Sequence, residues 1–201
     1  MKLGFDIDGV VNDLDSRLIK FVKDTYNVQL KSEDFKNYWI EKSTYVDDPE
    51  LNKTIADGMI SVVGDIDFQV TAKPYKEAIR GLRILKKAGH TLHFLTNRTI
   101  GKENEYKTGK WLRQSGVRFD SLNHCGLNGM KGMLGRSLHL DFYVDDHEPH
   151  LETMYKYKKR WTKGLGLFTQ PWNIDNIDGS KFVRFNNWDE ILRHLGPHYK
   201  R

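Results

Sequence analysis

The sequence is poor in the features that would place it in a special class. It holds one cysteine, Cys125, in 201 residues, so no internal disulfide can form and nothing points to an oxidising compartment. No apolar run approaches the length of a membrane-spanning helix. The opening stretch MKLGFDIDGVV is broken by Asp6 and Asp8, unlike a secretory leader. Internal repeats and low-complexity tracts are absent. A soluble, cytoplasmic protein is expected, with one domain or one domain carrying a modest insert, long enough to bury a core without staples. Neither charge sign dominates: 32 Lys+Arg stand against 27 Asp+Glu, a net +5. Part of the excess is local, in Lys156, Lys158, Lys159, Arg160 and Lys163. Such a balance suits an anionic substrate or nucleic acid, and equally a plain solvated surface.

What is present is an alternation of strand-like and helix-like segments. Residues 2–7 form a short apolar run that stops at acids and Gly9, as a buried strand stops at a loop. Leu14, Leu18, Phe21, Val22 and Tyr26 then follow helical spacing. Residues 27–72 differ in character, mixing charges with Phe35, Tyr38, Trp39, Tyr45, Met59 and Phe68, and are expected to form a small, mostly helical insert. After Pro74, Ile79, Leu82 and Leu85 mark a helix stopped by Gly89. Strands are expected at 90–96, near Leu122, at 141–146, 164–168 and 182–185. Helices are expected around Trp111–Leu112, around Lys131–Leu134 and in NNWDEILRHLG, where Asn187 and Glu190 resemble a capping box. This alternation implies an α/β fold, a three-layer, Rossmann-like parallel sheet with helices on both faces. In such sheets the site lies beyond the carboxyl ends of the strands.

Three expected strands end in pointed chemistry: Asp6 and Asp8, Thr96 and Asn97, Asp145 and Asp146. Four carboxylates at one sheet edge repel unless a cation neutralises them, and oxygen-only ligands beside a phosphate select Mg2+. An aspartate such as Asp6 can attack phosphorus and split one hard transfer into two easier ones. Asp8, two residues on, can give a proton to the leaving alkoxide and take one from the hydrolytic water. Gly9 would let the backbone turn sharply beside the phosphate. His90, His93, His124, His139, His147 and His150 show no metal-ligand spacing with the cysteine and look like surface or packing residues, His147 being the one adjacent to the acids.

These residues resemble the haloacid dehalogenase (HAD) superfamily of phosphohydrolases over about the whole chain. FDIDGVV is similar to its first motif, hhhDxDx[TV]; LTNR (95–98) to the second; Lys131 in GMKG to the third; FYVDD (142–146) to the fourth. The resemblance implies an aspartyl-phosphate mechanism with Asp6 as nucleophile and metal ligand. Asp8 would be general acid/base and lend its backbone carbonyl to the metal. Thr96 and the Asn97 N–H would hold the phosphoryl oxygens. Lys131 would neutralise charge. Asp146 would bind Mg2+ directly, and Asp145 directly or through water. Arg98 would touch substrate or pair with an acid on the surface.

In that family an insert between the first and second motifs is a lid over the site. The expected division is a catalytic core of 1–14 and 73–201 with a small helical cap of 15–72. The cap aromatics would stack on a base or form the cap's own core. The short cap and the ending FNNWDEIL look like the deoxyribonucleotidase branch, which implies a nucleoside monophosphate as substrate. Arg98 departs from the small residue that mammalian members of that branch carry. The stretch TNRTIGKENEYKTGKWLRQSG is also similar to the phosphatase part of phage-type polynucleotide kinase/phosphatases, which implies a nucleic-acid end instead. A non-catalytic binding protein on the same fold would require a missing catalytic group, and none is missing.

Overall fold

A computed structural model of the chain describes residues 1–126, 130–157, 161–175 and 181–196. Strand β1 (Lys2–Phe5) buries its last three residues completely. The chain leaves it through the two acids and turns at Gly9, whose φ of +77° is a left-handed conformation that favours glycine. Helix α1 (Leu14–Tyr26) starts where the Asp13 carboxylate accepts the Ser16 N–H. Helix α2 (Pro49–Val63) starts the same way, with Asp48 capping and proline in the first turn. A short α3 (Ile66–Gln69) and α4 (Lys76–Lys87) lead to β2 (Thr91–Thr96). Then come α5 (Lys102–Gln114), β3 (Ser121–His124), α6 (Met130–Ser137), β4 (Phe142–Asp145), α7 (Glu148–Tyr157), β5 (Gly164–Phe168), β6 (Val183–Phe185) and α8 (Trp188–Leu195).

All six strands pair in parallel, in the order β3-β2-β1-β4-β5-β6. The chain builds outward from β1 through β2 and β3, then returns to β1's other side with β4. The strand order therefore reverses between β1 and β4, and a crevice opens beyond their carboxyl ends. Phe5, Phe94 and Phe142 pack beneath α4 and α8, where the Trp188 ring stacks on Phe5 at 5.3 Å and its indole N–H donates to the Val10 carbonyl. Leu95, Tyr143, Leu151 and Met154 fill the opposite face. The two layers of helices on one sheet are the expected three-layer α/β arrangement.

The insert has its own apolar cluster of Leu18, Val22, Phe35, Tyr45, Ile55, Met59 and Phe68. It is less helical than its sequence suggests. Residues 27–48 carry only two single-turn 3-10 segments, Ser32–Asp34 and Ile40–Lys42. Side chains hold this stretch in place of a helical ladder: Asn52 Oδ1 accepts from the Tyr45 N–H, and Asn52 Nδ2 donates to the Ser43 carbonyl. Phe35 packs edge-on against Tyr45 inside the cluster, and Phe68 against Phe21; Phe35, Tyr38 and Trp39 also line the crevice.

Candidate active site

Parallel pairing fixes the first three groups. Phe5 stands opposite Val144 and Phe94, and the Asp6 N–H donates to the Val144 carbonyl, so Asp6, Asp145 and Thr96 emerge side by side. Asp6 is buried; its Oδ1 accepts the Ile7 N–H at 2.8 Å and its Oδ2 lies 3.0 Å from Lys131 Nζ. Lys131 sits in the first turn of α6, 1% exposed. Its helix reaches inward because α6 and α7 pack closely: a Cβ on Gly132 would lie 2.8 Å from the Thr153 carbonyl of α7, so only glycine fits there.

Asp145 is fully enclosed and fully committed. Its Oδ2 accepts from Lys131 Nζ at 2.8 Å and from the Tyr143 hydroxyl at 2.7 Å; its Oδ1 accepts the His147 N–H and bonds His150 Nδ1 at 3.0 Å. Burial alone would raise its pKa, but Lys131 and His150 outweigh burial and hold the carboxyl far below the usual range. The same carboxylates keep Lys131 charged although burial opposes it. Asp6 lacks that compensation: burial, with Asp145 and Asp8 nearby, pushes it up to about 7 against the pull of Lys131. Asp146 is pushed well above the carboxylate range by burial and by its neighbours Asp145 and Asp6. It forms no ion pair among the described residues.

Arg98, expected to touch substrate or a surface acid, pairs instead with an acid of the site. Its Nε donates to Asp8 Oδ2 at 2.8 Å and its terminal nitrogen to Oδ1 at 2.7 Å, a two-point fork. Asn12 Nδ2 adds a third bond to Asp8 at 2.8 Å. Burial would raise Asp8, but Arg98 and Asn12 lower it below its ordinary value. Thr96 is buried and its hydroxyl oxygen accepts the Arg98 N–H, which leaves the hydroxyl proton free to donate. Asn97 Nδ2 is bonded to His150 Nε2 at 2.9 Å, while its Oδ1 is buried without a partner among the described residues.

Several contributors were not legible. His150, taken as an ordinary histidine, is buried in the first turn of α7 and joins Asp145, Lys131 and Asn97; it lies three residues after His147, which precedes the helix, and that spacing was the available signal. His147 stacks on Tyr38 of the insert with ring centroids 3.6 Å apart and planes within 10°. The segment after β5 clamps both acid loops: Asn173 Nδ2 and the Trp172 indole donate to the Asp146 carbonyl, and Gln170 to the Gly9 carbonyl.

These groups open into one cavity of about 630 Å³. Asp6, Asp8, Gly9, Thr96, Asn97, Arg98 and Asp146 form its polar end; Leu14, Leu18, Tyr38, Trp39, Ile60 and Val63 form an apolar wall contributed by α1 and the insert. Asp145 does not border it. Of the basic cluster, Lys158, Lys159 and Arg160 lie outside the described residues, and neither Lys156 nor Lys163 borders the cavity. As for a metal, Asp6, Asp145 and His150 place donor atoms within 4.8 Å of one another. That space is already filled by an ammonium, since Lys131 Nζ lies 3.0 Å from Asp6, 2.8 Å from Asp145 and 3.3 Å from His150. On the cavity side, Asp6 and Asp146 are the carboxylates that could hold a divalent ion. Four buried or half-buried carboxylates (Asp6, Asp8, Asp145, Asp146) face two permanent cations (Lys131, Arg98), a balance that a divalent ion would suit.

No family model matches the chain. A protein of Oceanobacillus iheyensis named "Putative nucleotidase" is 26% identical over 198 residues, 96% of this chain and 98% of that one. A Bacillus cereus protein of the same name is 27% identical over 158 residues, 77% of this chain and 80% of the relative. Among solved structures, a HAD-superfamily hydrolase of subfamily IA from Geobacter sulfurreducens superposes with a TM-score of 0.57 at 14% identity, covering 97% of this chain and 96% of that one. The D,D-heptose 1.7-bisphosphate phosphatase of B. bronchiseptica, solved with magnesium and phosphate, gives 0.55 at 15% identity over 97% and 98%. The chain has the fold of the HAD-superfamily hydrolases.

Proposed function

We propose that this chain is a Mg2+-dependent phosphatase that hydrolyses a small phosphate monoester, a nucleoside monophosphate, through an aspartyl-phosphate on Asp6. The observation that carries the reading is the shared cavity: Asp6 with its Lys131 partner, Asp8 held by Arg98, and the free hydroxyl proton of Thr96 meet at one polar end. Residues 15–72 act as the cap over a core of 1–14 and 73–201, and bring Tyr38 and Trp39 over the leaving group. A cavity of about 630 Å³ is in the range of small-molecule sites, roughly 300–1,000 Å³, and its apolar wall suits a base and ribose better than an extended strand. The two relatives named as nucleotidases support the same substrate class.

Asp6 and Asp146, with the Asp8 carbonyl, would hold Mg2+, which supplies positive charge to the phosphoryl oxygens. The carboxylate of Asp6 attacks phosphorus as the bond to the leaving alkoxide breaks, and Asp8 gives that alkoxide its proton. A water then loses a proton to Asp8 and attacks phosphorus, releasing phosphate and restoring the Asp6 carboxylate. Lys131 offsets charge on Asp6 and on the transferred group, and Thr96 supplies a fixed donor. Phosphate release from nucleoside 5'- and 3'-monophosphates with and without MgCl2 tests this. Turnover is expected to need the ion and to vanish in Asp6→Asn. A variant that behaves like the parent, or an inert parent, would overturn it.

A further inference from the structure

Asp15 has no place in the chemistry just described. It stands in the first turn of α1, and its side chain lines the cavity among Leu14, Leu18, Ile60 and Val63. Its Oδ2 is buried and has no hydrogen-bond partner among the described residues. Burial, with Asp13 and Asp8 adding repulsion, pushes the carboxyl up to about 7. A capping role does not explain it, because Asp13 already takes both the N–H and the hydroxyl of Ser16. Nearby donors are engaged elsewhere. Arg17 bonds the Thr71 hydroxyl and lies over the Phe68 ring, Arg98 is forked onto Asp8, and the Gln69 amide donates to the Val63 carbonyl. A buried acceptor left unmade is costly, and natural chains rarely keep one without use.

Resting on the phosphatase reading of this site, we propose that Asp15 reads the alcohol half of the substrate, taking a hydrogen bond from an N–H or O–H donor on it. The cavity then has two ends with separate duties. The acids and Thr96 hold the phosphoryl group, and Asp15, on the wall that also carries Leu14, Leu18, Ile60 and Val63, selects leaving groups that present a donor beside a flat apolar face. Nucleoside bases and sugars have that chemistry; a phenyl ring has the face without the donor. The selectivity comes from the penalty of closing an apolar wall over an unanswered carboxyl, so a donorless ester is rejected more than it is ignored.

The test compares parent, Asp15→Asn and Asp15→Leu on a nucleoside 5'-monophosphate and on phenyl phosphate. Asp15→Leu is expected to lower kcat/KM for the nucleotide by about tenfold or more, chiefly through KM, and to leave or improve phenyl phosphate turnover. Asp15→Asn, which keeps an acceptor, is expected to fall between. Thermal unfolding checks that the variants fold; Asp15→Leu, which removes an unpaired buried carboxyl, is expected to melt no lower than the parent. Equal loss on both esters, or no change on either, overturns the role of Asp15 while leaving the phosphatase standing. Should the parent hydrolyse nothing, calorimetric binding of the nucleoside to parent and Asp15→Leu still decides: equal or absent binding overturns the inference.

Discussion

Arg98 closes a two-point fork on Asp8, reaching both carboxylate oxygens at 2.7 and 2.8 Å from ninety residues away in the chain. The guanidinium side is 1% exposed and the carboxylate 24%. Arg98 therefore biases Asp8 toward its charged form, which favours the base half of the task proposed for it and opposes the acid half. With p-nitrophenyl phosphate, whose leaving group needs no proton, only the base half remains. The parent is then expected to keep its rate to lower pH than Arg98→Ala, in which Asp8 returns toward the ordinary carboxylate range. A depressed carboxyl contributes stability above its unfolded pKa and loses it as pH falls through the folded value, so the variant's stability deficit is largest at neutral pH. Stranding Asp8 there costs roughly 3 kcal/mol, at the lower end for a broken buried pair because Asp8 reaches some solvent. Denaturant unfolding at pH 7 and at pH values below 3.8 checks it, and a deficit that does not shrink as pH falls through that lower range would count against the fork.

Asp146 and Asp6 are displaced in the opposite direction. A carboxyl whose folded pKa is raised penalises folding above its unfolded pKa, and for Asp6 the penalty grows as pH rises toward about 7. In metal-free buffer at pH 8, Asp146→Asn is therefore expected to melt higher than the parent. Adding MgCl2 should reverse the order, since an ion at a hundred times its Kd stabilises the parent by about 2.7 kcal/mol. Thermal midpoints with and without the ion measure it; an Asp146→Asn chain that gains as much from MgCl2 as the parent would remove Asp146 from the site.

The sheet was legible because each strand is a short apolar run with a chemical stop. GLGLF forms a strand over its full length, and the Asn187 cap of the last helix accepts the Glu190 N–H as its sequence suggests. The acids at strand ends were legible for the same reason, as parallel pairing of adjacent strands brings their ends together. Contacts made across long separations were not. Nothing local marks Arg98 as the partner of Asp8, ninety residues away; His150, by contrast, is five residues from Asp145, and what joins them is the turn from β4 into α7, which apolar periodicity does not record. The segment 27–48 departs from the mostly helical insert expected over 27–72: its backbone is held by side-chain bonds from Asn52 that periodicity does not record.

Tyr38 and His147 join the insert to the core through a stack 3.6 Å deep. Burial, aided by His150 and Lys131, pushes His147 down to about 4. A histidine with a depressed folded pKa loses stability as pH falls below its unfolded value near 6.5. His147→Phe keeps a ring and removes the proton site, so its stability advantage over the parent is expected to grow between pH 6.5 and 4. A double-mutant cycle of Tyr38→Ala with His147→Ala should give a coupling of about 0.5–1.5 kcal/mol. A flat pH difference together with zero coupling would mean that the rings merely lie near one another.

Lys131 answers two carboxylates at once, Asp145 at 2.8 Å and Asp6 at 3.0 Å. Lys131→Met removes the charge with little change in volume and leaves both acids buried without it. A loss of roughly 3–5 kcal/mol is expected at pH 8. The loss should narrow toward pH 4, because Asp145, no longer held low, can take up a proton in the folded chain and cease to be a stranded charge. Adding Asp145→Asn to Lys131→Met should recover much of the stability, whereas the two changes would simply add if they were independent. Activity should not return with it, since Lys131 also faces Asp6, the nucleophile of the proposed mechanism. Chemical denaturation of the parent, both single variants and the double variant, paired with phosphate release from each, separates the two duties. A double variant as unstable as the sum of its parts would show that Lys131 and Asp145 do not act as a pair.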